Sequence, residues 1–177
     1  MNRCDRKNHV KEKGIWLLAG ILLLAGCGYR LEGGGYLHQG VTRVGVAVFE
    51  NNSSQTRAGI HFTNELIREI QEETDTQVVD PADAPRGIKG IVKAITFSTL
   101  SRSSTETVVE RRIRAVVDVQ LLDTDKDILW SVNNFSSTES FLVDADNIND
   151  EANISEAIEI IAQRIAERIV SQMMAGF

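Results

Sequence analysis

The thiol of Cys27 is the side chain whose chemistry the sequence states most directly. Leu24-Ala25-Gly26-Cys27 runs branched apolar, small, small, cysteine, the pattern of a bacterial lipobox. Small residues let the backbone enter a peptidase cleft. The thiol is the one strong nucleophile nearby that a diacylglyceryl group can alkylate. The expected product carries a covalent diacylglycerol on Cys27 and an N-acyl chain on the new N-terminus.

A second constellation suits anions. Glu110-Arg111-Arg112-Ile113-Arg114 puts three arginines within four residues, and Arg102 lies across the polar stretch 98–107. Guanidinium forks bind phosphate and carboxylate bidentately. Strand alternation sends Arg112 and Arg114 to one face and Arg111 to the other. Two readings stand. One is a solvated sheet face with cross-strand pairing to Glu106, Glu139 or Asp118. The other is contact with an anionic ligand or partner.

Catalytic patterns are missing. His38 falls in a glycine-rich stretch and His61 on a predicted helix beside Phe62, so no histidine pair has metal spacing. There is no Gly-x-Ser-x-Gly elbow and no phosphate loop. Asp123, Asp125 and Asp127 resemble part of a calcium loop. The glycine and glutamate such a loop needs are replaced by Ile128 and Asn134, which leaves a polar turn. The expectation is a protein that is not an enzyme, with no metal and no cofactor beyond the lipid on Cys27.

The residues before Cys27 agree with the lipobox. Arg3, Arg6, Lys7, Lys11 and Lys13 outweigh Asp5 and Glu12, and an apolar run follows from Ile15 to Ala25. That run is far shorter than the ~20 residues a membrane span needs. Residues 1–26 therefore read as a cleaved signal peptide. Cleavage leaves 151 residues, enough for one domain. It also removes five basic and two acidic residues from 19 and 25, leaving 14 against 23, a net charge of −9. Such a domain suits neither nucleic acid nor charge-driven binding to anionic lipid. The acyl chains are the expected hold on the membrane. The other cysteine, Cys4, leaves with the signal, so no intramolecular disulfide is expected and the fold rests on its core.

Residues 27–40 hold five glycines and read as the lipidated cysteine with a flexible tether; a single domain follows over 41–177. A strand is expected over 41–49, then a polar turn. A helix is expected over 56–72 with Ile60, Thr63, Ile67 and Ile70 as its apolar stripe, widened by Leu66. Residues 74–80 are a short strand or a connection. A long strand covers 87–100, with Ile91, Ile95 and Phe97 on one parity. The clearest strand is 108–122, where Ile113, Ala115, Val117, Val119 and Leu121 alternate with polar residues. A partner strand spans 128–141 with Trp130, Val132 and Asn134 in phase. The last helix starts at Asp150 or Asn153 and runs to Met174, with Ile154, Ile158, Ile161, Ile165 and Ile169 as its stripe. The fold class is α+β, with two helices packed on one face of a four-stranded, mostly antiparallel sheet.

Several of these segments resemble one family. Cys27-Gly28-Tyr29-Arg30-Leu31, the V-x-V-x-x-F-x-N strand exit at Val44 to Asn51, the helix Thr63-Asn64-Glu65-Leu66 and the late isoleucine-rich helix resemble LptE lipopolysaccharide-assembly lipoproteins. The resemblance covers roughly residues 24–174. It implies a non-enzymatic subunit that plugs the LptD β-barrel of the outer membrane, helps it assemble and binds lipopolysaccharide in transit. It implies ligand contact by basic side chains near one tip of the sheet, where Arg102, Arg111, Arg112 and Arg114 are the candidates. The loop before the last helix departs from the pattern: Asp144 and Asp146 stand where some relatives carry lysine. Gly28 after the cysteine, by likeness to lipoproteins generally, implies the periplasmic face of the outer membrane. The alternative is a regulatory binding module of an envelope complex, such as a cell-wall synthase activator, which this chain resembles in its first strand and helix.

Overall fold

A computed structural model describes residues 34–38, 40–102, 108–143 and 146–176. The expected signal peptide, Cys27 and Asp144 lie outside the described residues.

The element order is β1 (Arg43–Val46), β2 (Glu50–Asn51), α1 (Ala58–Glu73), β3 (Gln77–Val79), β4 (Gly87–Arg102), β5 (Val108–Leu122), β6 (Ile128–Leu142) and α2 (Asn147–Ala175). One sheet runs β3-β1-β4-β5-β6, with β2 beside β4. The α+β class and the two helices are as expected. The four-stranded, mostly antiparallel sheet is not: six strands form a mixed sheet. β4, β5 and β6 make an antiparallel meander, whereas β1 with β3, β1 with β4, and β2 with β4 are parallel. The cause is local. α1 separates β1 from β3, and a helical crossover returns the chain parallel. β2 and β3 are too short to show any alternation.

The expected first strand breaks at Phe49, which leaves the ladder and turns into the core. Its N–H donates to Thr63 Oγ1 at 2.9 Å, and the Thr63 hydroxyl donates to the Gly59 carbonyl at 2.7 Å. Its ring stacks on Phe62 with centroids 6.5 Å apart. A Cβ on Gly90 would lie 2.2 Å from that ring, so only glycine admits it. Asn51 then shapes the turn into α1. Its side-chain amide donates to the Gln55 carbonyl at 2.7 Å, and its Oδ1 accepts from the Ser53 N–H and hydroxyl.

Both helices cover the same sheet face. Ile113, Ala115, Val117, Val119 and Leu121 of β5 are buried there, as expected. α2 contributes Ile158, Ile161, Ile165 and Ile169, again as expected. The α1 stripe is rotated from the expected one: Phe62, Thr63, Leu66 and Ile70 are buried while Ile60 is 55% exposed. α2 also begins earlier than expected. Asp146 caps it by accepting from the Ile148 N–H at 3.0 Å, and Asn153 instead donates to the Leu142 carbonyl.

Two β-bulges overturn the strand phases. In β4 the register slips between Val92 and Ala94, so Ile88 and Val92 face the core below the slip and Ile95 above it. Ile91 is thereby moved to the outer face, away from Ile95 and Phe97. In β6 the register slips opposite Asp118. Asn134, at φ +56, takes the extra residue and is not in phase with Trp130.

Packing begins inside the stretch expected to be a tether. Leu37 is fully buried, and its N–H donates to Thr76 Oγ1 at 3.0 Å. His38 donates to the Met173 carbonyl, and Asp75 donates to the Gly35 carbonyl. The N-terminal described residues thus lie with the C-terminal ends of both helices. The β4–β5 tip, the end of β6 and the start of α2 lie at the opposite end. At 1.5 Å per residue, the 29-residue α2 separates these ends by about 43 Å.

Candidate functional site: a basic, hydroxyl-lined end of the sheet

β5 carries two arginines across the outer face of the sheet, the face that neither α1 nor α2 covers. Arg112 lies between Ser98 of β4 and Ser140 of β6; Arg114 lies between Thr96 and Thr138. Both arginines are exposed. Arg114 Nη2 donates to Ser136 Oγ at 2.9 Å. Arg112 has no hydrogen bond or ion pair among the described residues. Two cations thus stand in a field of five hydroxyl residues.

Among the described residues neither Asp118 nor Glu139 pairs with these two arginines. Asp118 accepts from the Asn134 N–H at 2.6 Å and pairs with Lys93 at 3.3 Å. Glu139 lies on the helix side and pairs with Arg164 of α2. Glu106 lies outside the described residues.

Arg111 points the other way, as alternation requires. Its guanidinium sits 4.8 Å above the Phe97 ring, and Phe97 meets Phe141 edge-on at 6.3 Å. A cation over an aromatic face at a partly exposed site contributes about 0.5–1 kcal/mol. Arg102 stands at the end of β4 opposite Val108, beyond two further register slips. The four predicted arginines therefore share one end of the sheet, but only Arg112 and Arg114 share a face. The same end exposes Leu100, Val109, Leu142 and Ile148, so charge and apolar surface adjoin.

Sequence reasoning missed Thr96, Ser98, Ser136, Thr138 and Ser140. The run Ser136-Ser137-Thr138-Glu139-Ser140 is a visible signal, but its facing depends on the bulge at Asn134.

Asp123, His61 and Glu69 make contacts within the fold. Asp123 accepts from the Thr124 backbone and from Arg86 Nε at 3.0 Å, and both hold its carboxyl below the usual range. Its N–H donates to the Asp127 carbonyl at 2.8 Å, which closes a polar turn. Among the described residues no three His, Cys, Asp or Glu side chains are grouped to hold a metal ion. His61 Nδ1 lies 3.2 Å from Glu159, linking α1 to α2. Glu69 of α1 is buried, and desolvation, with Glu167 of α2 and Glu73 nearby, pushes its carboxyl above the usual range. Among the described residues no helix is long and apolar enough to cross a membrane.

Known proteins share this architecture. An uncharacterized lipoprotein B from Nitrosomonas europaea is 22% identical, over 80% of this chain and 88% of its own, with a TM-score of 0.56. The rare lipoprotein B from Shewanella oneidensis is 17% identical, over 72% of this chain and 93% of its own, with a TM-score of 0.51. At such identities the likeness is one of fold. No curated protein matches the chain. The family model for LptE, lipopolysaccharide-assembly, matches residues 41–173. With that match over most of its length, the chain belongs to the LptE lipopolysaccharide-assembly family.

Proposed function

We propose that the chain is a lipoprotein anchored through Cys27 at the periplasmic face of the outer membrane. There it plugs and helps assemble an LptD-like β-barrel and binds lipopolysaccharide during its transport to the surface. Residues 1–26 are its cleaved signal, and no bond is made or broken in its work. The observation that carries this reading is the outer-face pair Arg112 and Arg114, with no acidic partner among the described residues and five hydroxyl residues around them.

Chemistry supports the assignment. Lipopolysaccharide offers phosphates to guanidinium forks, sugar hydroxyls to serine and threonine, and acyl chains to apolar surface. Leu100, Val109, Leu142 and Ile148 supply that surface at the same end. This end is the one remote from Gly34 and Gly35.

The test is purification of the tagged full chain from its own membranes. A large outer-membrane β-barrel recovered in equal amount is the expected result. Recovery of a peptidoglycan synthase instead favours the regulatory-module alternative, and recovery of no partner contradicts both.

A further inference from the structure

We propose that the free edge of β4 at Ala94–Thr99 docks an extended segment of a protein partner, which adds a strand to the sheet. The proposal rests on the reading that the chain works beside a protein partner, and it names the element that receives that partner.

The lane beside β4 is filled by β1 and β2 only as far as Val92. The last bond there runs from the Asn52 N–H to the Val92 carbonyl at 2.9 Å. Asn51 then turns the chain away into α1. Among the described residues no strand pairs with β4 on this side beyond Val92. From Ala94 to Thr99 the register with β5 is unbroken, from Val116 to Arg111. Every second residue of such a stretch turns its N–H and C=O toward the open lane.

Bare edges invite strand addition, and proteins guard them with charge, proline, bulges or cover. Here the bulges lie at either end of the stretch. Between them the sequence is Ala-Ile-Thr-Phe-Ser-Thr, prone to extended structure, without charge or proline. The nearest cation along β4 itself, Lys93, is held on the outer face by Asn134 Oδ1 at 2.7 Å and by Asp118. The opposite edge is treated differently. Arg164 of α2 donates to the Thr138 carbonyl at 3.1 Å, and Asn153 donates to the Leu142 carbonyl at 3.0 Å, so helix side chains occupy acceptors of β6.

Charge identifies the occupant. Arg112 on the outer face and Arg111 on the inner face are cross-strand neighbours of Ser98 and Thr99. A fitting segment is uncharged along Ala94–Phe97 and acidic where it passes Ser98 and Thr99. The same edge of a second copy does not fit, because residues 94–102 contain no acidic side chain. Main-chain bonds would supply affinity and the arginines orientation.

The test is amide hydrogen exchange on the full chain, alone and in the complex purified from its membranes. At least tenfold slower exchange at residues 94–99 in the complex is expected, with residues 135–142 slowed far less. Unchanged exchange at 94–99 in an intact complex overturns the edge while leaving the proposed function standing. Equal slowing at both edges, or concentration-dependent slowing in the chain alone, also overturns it. Recovery of no protein partner overturns both proposals. Two exposed variants give a second readout: Ser98→Asp is expected to lower partner retention about tenfold, while Ser98→Lys retains it. Equal retention by both contradicts an acidic occupant.

Discussion

The hydroxyl of Thr63 joins Phe49 to α1: it accepts from the Phe49 N–H at 2.9 Å and donates to the Gly59 carbonyl one turn back at 2.7 Å. Both residues are almost wholly buried. A single side chain thereby satisfies the backbone at the point where the first strand ends. Thr63→Ala leaves the Phe49 N–H buried without an acceptor, which costs about 1–3 kcal/mol. Chemical denaturation is expected to show a lower midpoint with an unchanged slope, and Thr63→Ser should recover most of the loss.

Gly90 and Gly87 lie on the same strand and predict opposite outcomes. A Cβ at Gly90 meets the Phe49 ring at 2.2 Å, whereas a Cβ at Gly87 meets nothing within 4 Å. Gly90→Ala is expected to destabilise by about 1–3 kcal/mol, the usual cost of overpacking a core. Gly87→Ala is expected to leave the melting temperature within error, and equal effects at the two sites would contradict this packing.

Phe49 and Asn51 show what was legible in the sequence. The V-x-V-x-x-F-x-N pattern marks Phe49 and Asn51, and the structure gives both a place: one seals the core and the other shapes the turn into α1. The β5 alternation and the α2 isoleucine stripe were legible because each keeps one phase over its buried length. The phases of β4 and β6 were not, because a bulge adds one residue and sends every later side chain to the other face. The same slip hid Ser136, Thr138 and Ser140 from the site, although the arginines they surround were plain from their density. β2 escaped, and β3 stayed open between strand and connection, because two or three residues carry no period.

Glu69 predicts a pH dependence whose sign follows from its surroundings. Burial and the facing Glu167 and Glu73 raise its folded-state pKa, with Glu72 adding to them and Arg68 opposing. The folded state therefore holds this proton more tightly than the unfolded chain. The resulting stability is fully present below the ordinary glutamate pKa of about 4.3 and is lost as pH rises through the raised value. Glu69→Gln is expected to melt higher than the parent at pH 7, with the gap closing toward pH 4. A lower melting temperature for the variant at pH 7 would argue that the charge is stabilised in the fold.

Cys27 predicts a location. Cys27→Ala removes the proposed acceptor of the lipid, so the protein is expected to lose its acyl mass and leave the membrane fraction. Mass spectrometry of the purified chain and sucrose-gradient fractionation check this. Retention of the variant in the outer membrane without acyl chains would mean that another element anchors it.

Arg111 separates stability from lipopolysaccharide binding. Its guanidinium covers Phe97, whereas Arg112 and Arg114 stand on the outer face. Arg111→Glu is expected to lower the melting temperature, because it removes the cation from the aromatic face.

Binding of purified lipopolysaccharide to the full-length lipoprotein, compared with the double variant Arg112→Glu, Arg114→Glu, tests the central claim most directly. At least a tenfold loss of affinity with the melting temperature unchanged is predicted. Unchanged affinity with an unchanged melt would contradict it and return the two arginines to an ordinary solvated sheet face.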